Sequence, residues 1–168
     1  MKAPPIWRVV LDLNVLVAAL LSQAAGRTAS PSWRLAAWAR DGRAPTGPLQ
    51  LICSQAMLDR LELVVVRKGL LRLDEAQEYV AAWRAIALAG PLALAPFALI
   101  GGGVLPLNDV EDQGVLEVAI AGRAHLLVTG NWDDFAFKDV EVQEPRQRAR
   151  YRDLWIVSPS AAVAVLEG

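Results

Sequence analysis

The sequence predicts an α/β fold in three layers, α/β/α, with a mainly parallel sheet at its centre. Three observations carry this. Short apolar runs rich in β-branched residues alternate along the chain with segments of helical spacing, the pattern of βαβ units. The strand candidates are continuous apolar runs, as expected for strands covered on both faces. Hydrophobic residues make up 54% of the chain and charged ones 21%, which supplies a sizeable core and excludes disorder by composition. A length of 168 residues favours one domain over residues 1–168.

The first strand candidate is Trp7 to Leu11, an apolar run that ends in Asp12. Asn14 to Leu21 is apolar and compatible with a helix. Ser30-Pro31 opens a second helix in which Trp33, Ala36, Ala37 and Arg40 keep helical spacing, and Asp41-Gly42 closes it. Pro45 to Pro48 reads as a turn, Leu49 to Cys53 as a short strand, and Ser54 as the cap of a helix carrying Leu58, Leu61 and Val65 on one face. A further helix follows Asp74 and stops at Gly90-Pro91.

Leu92 to Leu107 is interrupted by Pro96, Gly101 to Gly103 and Pro106, and reads as a short strand with a connecting loop. Asp109 to Gly122 follows as a helix, His125 to Thr129 as a strand, and Gly130 to Phe135 as a polar turn. Leu154 to Val157 is the last strand candidate, and Ser158 starts a final helix from Pro159 to Leu166.

The formal net charge of -1 gives no overall electrostatic footprint for nucleic acid, so any polyanion site must be a local patch. Arg146, Arg148, Arg150 and Arg152 form one basic stretch that could track phosphates, or serve simply as a solvated loop. A single cysteine, Cys53, excludes an internal disulfide and fits a reducing compartment. No apolar run is long enough to span a bilayer, so a cytoplasmic protein without a membrane partner is expected.

In open parallel sheets, ligands gather outside the carboxyl ends of the strands. Asp12 and Asn14 follow the first strand, and Asn131, Asp133 and Asp134 follow the strand ending at Thr129, so both groups fall on that edge. Asp109, Glu111 and Asp112 begin the helix between them, and reach the same edge only if the preceding loop returns there. Converging carboxylates repel unless a hard cation sits among them, and Mg²⁺ or Mn²⁺ is the natural choice. Such an ion uses few protein ligands and completes its shell with water and substrate phosphate, which suits phosphodiester hydrolysis. Each group also has a structural role open to it: Asp12 as a cap, Asp109 and Asp112 at a helix N-terminus, Asp133 and Asp134 in a turn. His125, the only histidine, lies in an apolar strand and is a poor candidate for a general base or a zinc ligand.

The segments Val9-Val10-Leu11-Asp12-Leu13-Asn14-Val15-Leu16 and His125-Leu126-Leu127-Val128-Thr129-Gly130-Asn131-Trp132-Asp133-Asp134-Phe135 resemble the first and last signature segments of PIN domains. Between them, Ser54 to Leu61 resembles the start of the family's second helix, and Asp109 to Glu117 its third acidic segment. Trp155 to Pro159 is similar to its usual last strand and proline-started helix. The resemblance is closest to the bacterial branch described as toxins of toxin-antitoxin pairs. It implies a PIN-like fold, an Mg²⁺- or Mn²⁺-dependent ribonuclease, a small antitoxin protein as partner, and a homodimer.

By the same resemblance Asp12 and Asp112 are metal ligands, Asp134 acts with them, and Asn14, Thr129, Asp109, Glu111 and Asn131 are polar neighbours. RNA would run over Arg146, Arg148 and Arg150. The chain departs from the family at two places. Arg60 stands where a carboxylate usually precedes the helix leucine, leaving Asp59 as the substitute ligand or Glu62 two places on, and Asn131 stands where many members have aspartate. Two other readings remain open at this point. One is a PIN-like module that binds RNA or protein without cutting. The other is a haloacid-dehalogenase-like phosphatase, which would need an aspartate where Asn14 stands and a late lysine, for which Lys138 is the candidate.

Overall fold

The structure is a computed structural model that describes residues 3–98, 110–135, 140–143 and 146–168. Its sheet grows outward from β1 (Trp7–Leu11), whose residues are buried apart from a half-buried Arg8. Such a strand needs a neighbour on each edge and a layer on each face. β1 pairs in parallel with β3 (Gly47–Ile52) on one side and β4 (Leu126–Val128) on the other, and β4 pairs in parallel with β7 (Leu154–Val157). These four strands are the parallel centre expected from the sequence. The flanks are antiparallel: β2 (Arg43–Ala44) folds back on β3, while β6 (Arg148–Tyr151) and β5 (Glu141–Gln143) extend the sheet beyond β7. The strand order is β2-β3-β1-β4-β7-β6-β5.

Among the described residues six helices accompany the sheet: α1 (Leu13–Ala24), α2 (Pro31–Asp41), α3 (Gln55–Arg67), α4 (Leu73–Ala89), α5 (Val110–Ala121) and α6 (Pro159–Glu167). Serine hydroxyls start three of them. Ser30 accepts from the Trp33 amide at 3.2 Å, Ser54 from Met57 at 3.1 Å, and Ser158 from Ala161 at 3.2 Å, each satisfying an orphan donor of the first turn. α2 ends at Gly42 with φ 65°, a left-handed conformation that glycine adopts without a Cβ penalty.

Alternation along the strands divides the core. Val9, Leu11, Leu126, Val128 and Val157 face a larger cluster built with α1, α2, α6 and the α3–α4 pair. Val10, Leu127, Ala149 and Ile156 face a smaller one built with α5 and Phe135. Among the described residues two polar side chains, Gln50 and Thr129, are wholly enclosed, and Gln50 has a structural use. Gln50, 0% exposed, donates from Nε2 to the carbonyls of Leu51 and Ala87, both at 2.8 Å, and accepts from the Leu92 amide at 2.8 Å. It ties the end of α4 to β3. Gly90 passes so close that a Cβ there would stand 2.5 Å from Gln50 Oε1.

The differences from the sequence reading lie in short elements. Pro48 belongs to β3 rather than to a turn, because the tight β2–β3 hairpin pairs Ala44 with Gly47 and Arg43 with Pro48. Of the short strand expected between Leu92 and Leu107, the described residues show a single bridge, Phe97 beside Ser54, and residues 99–107 of that stretch lie outside the described residues. Arg148 and Arg150 sit in β6 rather than in a loop. Among the described residues no helix is long and apolar enough to cross a membrane.

Candidate active site

Asp12 leaves the end of β1 and caps α1, so the structural role open to it is real. It is 7% exposed, and both carboxylate oxygens are held. Oδ1 accepts from the Leu13 amide at 2.7 Å. Oδ2 accepts from the Thr129 hydroxyl at 2.8 Å and from Asn14 Nδ2 at 3.0 Å. Asn14 also bridges to the other strand end: its Nδ2 donates to Thr129 Oγ1 at 3.2 Å and its Oδ1 accepts from the Gly130 amide at 3.0 Å. The buried Thr129 hydroxyl further accepts from the Asn131 amide at 3.1 Å. Asp12, Asn14 and Thr129 therefore form one network that locks the ends of β1 and β4 together and fixes the Asp12 carboxylate.

This network opens on a cleft of about 610 Å³ at the carboxyl edge of the sheet. Asp12, Asn14, Ser54 and Asn131, each placed just beyond a strand end, line its floor, and Asp112 and Asp134 also line it. The three carboxylates expected to act together thus share one cavity. Asp112 is half-buried on α5, while Asp134 is exposed on a 3-10 turn (Trp132–Phe135) that the wholly buried Phe135 anchors. Asp133, its neighbour, is not among the lining residues.

The substitute ligand Asp59 is not brought to the site. It is exposed, accepts from Gln55 Nε2 at 2.6 Å, and does not line the cleft, whereas Arg60 does. One residue on a helix turns the side chain by about 100 degrees, and α3 runs on without rearrangement here. Glu62 likewise stays outside the lining. Asp109 and the side chain of Glu111 lie outside the described residues, as does Lys138.

Arg148 and Arg150 stack over Trp155, their guanidinium carbons 4.5 and 5.3 Å from its ring centroid, on the antiparallel flank. Arg146 is exposed beside them, and none of the three lines the cleft. Burial, and then the charge of Arg146, lowers the Arg148 pKa. His125 precedes β4 at the opposite end from the cleft. Its Nδ1 accepts from the Arg8 amide at 3.0 Å, its ring meets Trp7 edge-on, and burial followed by the Arg8 charge lowers its pKa. Cys53 is buried at the end of β3, and burial raises its thiol pKa to about 11, which leaves it unreactive.

The sequence reading missed the far wall of the cleft. Val17 and Leu21 on α1, Val64 on α3 and Lys68 at the C-cap of α3 line it. The signal available was the four-residue spacing of Ala56, Arg60, Val64 and Lys68, which places them on one helical stripe.

Among the described residues no three His, Cys, Asp or Glu side chains stand together as a closed metal cage. The donor set is all oxygen, and it fits a hard divalent ion held by one or two carboxylates with water completing the shell. Asp12 and Asp112 are the residues that could hold it, with Asp134 acting through water. The family model described as PIN domain matches residues 8–133, from β1 to the turn carrying Asp133. No curated protein and no solved structure matches the chain. With a three-layer α/β fold, a cleft at the carboxyl edge of the sheet lined by carboxylates and a family match over most of its length, the chain belongs to the PIN domain family, a nuclease-type fold.

Proposed function

We propose that the chain is a metal-dependent endoribonuclease that hydrolyses phosphodiesters of single-stranded or structured RNA with Mg²⁺ or Mn²⁺. The observation that carries this reading is that Asp12, Asp112 and Asp134 line one cleft, with Asp12 held by three hydrogen bonds. A divalent ion held there would polarise the phosphate and acidify an attacking water. The Thr129 hydroxyl and the Asn14 amide fix Asp12 Oδ2, so the carboxylate pays no reorganisation when substrate arrives. Asn131 offers an amide in the cleft, and Asp134, exposed to solvent, can take the proton that the attacking water gives up.

Arg146, Arg148 and Arg150 lie outside the cleft and carry flanking RNA in this reading. The biological role we propose is that of a cytoplasmic toxin, a homodimer silenced by a small antitoxin protein. The apolar wall of Val17, Leu21 and Val64 gives such a protein a surface to cover.

The test is cleavage of a mixed single-stranded RNA pool by the purified chain with Mn²⁺, with Mg²⁺ and with chelator, beside Asp12→Asn and Asp112→Asn. Metal-dependent cutting by the parent and loss of at least a hundredfold in both variants is the expected result. Cutting that survives chelator, or survives both substitutions, would refute the assignment.

A further inference from the structure

Arg60 stands where a carboxylate was expected, and its neighbours along α3 give that position a use. Ala56, Arg60, Val64 and Lys68 recur every four residues, lie on one stripe of the helix, and all line the cleft that holds Asp12, Asp112 and Asp134. Arg60 is half-buried toward the floor, and Lys68 is exposed at the helix end. A cleft lined only by carboxylates repels a polyanion, and a net charge of -1 supplies no long-range attraction to offset this. Arg60 and Lys68 are the cations among the lining residues.

We infer that Arg60 and Lys68 form a cationic rail on α3 that seats successive phosphates of an RNA strand across from the carboxylates. This rests on the ribonuclease reading of the same cleft. The two positions are about 12 Å apart along the helix axis at 1.5 Å per residue, too far to hold one phosphate. Arg60, nearer the floor, presents a planar fork that grips a phosphate in two directions and orients it toward Asp12. Lys68 is a point charge that holds the strand one or more nucleotides away. Both contacts are to the backbone, so they fix register and strand direction without reading bases.

The experiment measures binding of a labelled single-stranded RNA oligonucleotide by the full chain in chelator, as a function of salt. Steady-state cleavage in Mn²⁺ is measured alongside. Each lost phosphate contact lowers the slope of log affinity against log salt by about 0.7 on a single strand. Lys68→Gln should therefore lower the slope by about 0.7 and Arg60→Gln/Lys68→Gln by about 1.4, while Arg60→Lys retains it. KM should rise in the double variant more than kcat falls. Because Lys68 is exposed, its variant reads out whether or not Arg60→Gln folds. An unchanged slope in Lys68→Gln and in the double variant overturns the rail. If the parent binds RNA but cuts nothing in any metal, the ribonuclease reading falls while the slopes still judge the rail. If the parent cuts and the slopes do not move, the rail alone falls, and if it binds no RNA at all, both fall.

Discussion

Replacing Asp12 by asparagine tests more than activity, because the side chain belongs to the fold as well as to the cleft. The change keeps the shape of the side chain, but the hydrogen bonds it makes give the loss of charge a cost. Asp12 accepts three hydrogen bonds, two of them on Oδ2. If the amide nitrogen of asparagine takes the Oδ2 place, the Thr129 hydroxyl, which already accepts from Asn14 Nδ2 and the Asn131 amide, can turn to accept from it only by giving one of these up. Asn14 cannot, because its own oxygen is engaged by the Gly130 amide and its nitrogen must face Asp12. If the amide takes the Oδ1 place instead, the Leu13 amide loses its acceptor. Either way one donor is left opposed and the remaining bonds lose their charge-assisted component.

Bonds to a charged group are worth about 1.5–3 kcal/mol against about 0.5–1.5 for neutral ones, and an opposed buried donor costs about 1–3 kcal/mol. Loss of the negative charge at the N-terminus of α1 adds about 0.3–1 kcal/mol. Repulsion from Asp112 and Asp134 acts the other way. It is weakened by the exposure of Asp134 and screened by salt. The expected destabilisation in metal-free protein is about 2–4 kcal/mol, read as a lower urea midpoint at unchanged m. A double-mutant cycle with Thr129→Val should show coupling of about 1 kcal/mol or more. A variant within about 0.5 kcal/mol of the parent would refute the network as a structural element. A variant more stable than the parent would show that carboxylate repulsion outweighs it.

Two further expectations concern the scaffold. Gly90→Ala should destabilise by about 1–3 kcal/mol in urea unfolding, because its Cβ would meet Gln50, and the penalty should shrink in a Gln50→Ala background. Equal penalties in both backgrounds would place the strain elsewhere. The folded pKa of His125 is lowered, so the unfolded chain binds its proton more readily. Its contribution to stability is full above the ordinary histidine range and is lost as pH falls through about 6.5 toward the folded value. Between pH 7.5 and 5, urea midpoints of the parent should fall more steeply than those of His125→Gln, and parallel profiles would rule this out.

The parallel centre and the floor of the cleft were legible because each has a local cause. Continuous apolar runs such as Trp7 to Leu11 have few alternatives to a covered strand, and Ser30, Ser54 and Ser158 each cap a helix where their position announces it. Asp12 and Thr129 were separately placed at strand ends, but their direct hydrogen bond depends on β1 and β4 being adjacent. What stayed hidden depends on direction rather than sequence position. Arg148 and Arg150 read as a basic stretch that tracks phosphates or forms a solvated loop, yet their guanidinium groups lie over Trp155 across the β6–β7 pair. Asp59 and Arg60 are adjacent in sequence, and only the rotation of α3 decides which of them meets the cleft.

The adjacency of β1 and β4 also bears on when the site can exist. Asp12 and Thr129 are 117 positions apart, and Asp134 lies farther still. A chain emerging from the ribosome carries Asp12 long before its partners, and the central pairing must wait for loop closure over most of the polypeptide. Asp12 alone, with neither Thr129 to orient it nor Asp112 and Asp134 beside it, makes no catalytic centre. Sequence separation thus acts as a delay: the cleft assembles only after three quarters of the chain has been made, and a truncated product ending before β4 carries none of the completed site.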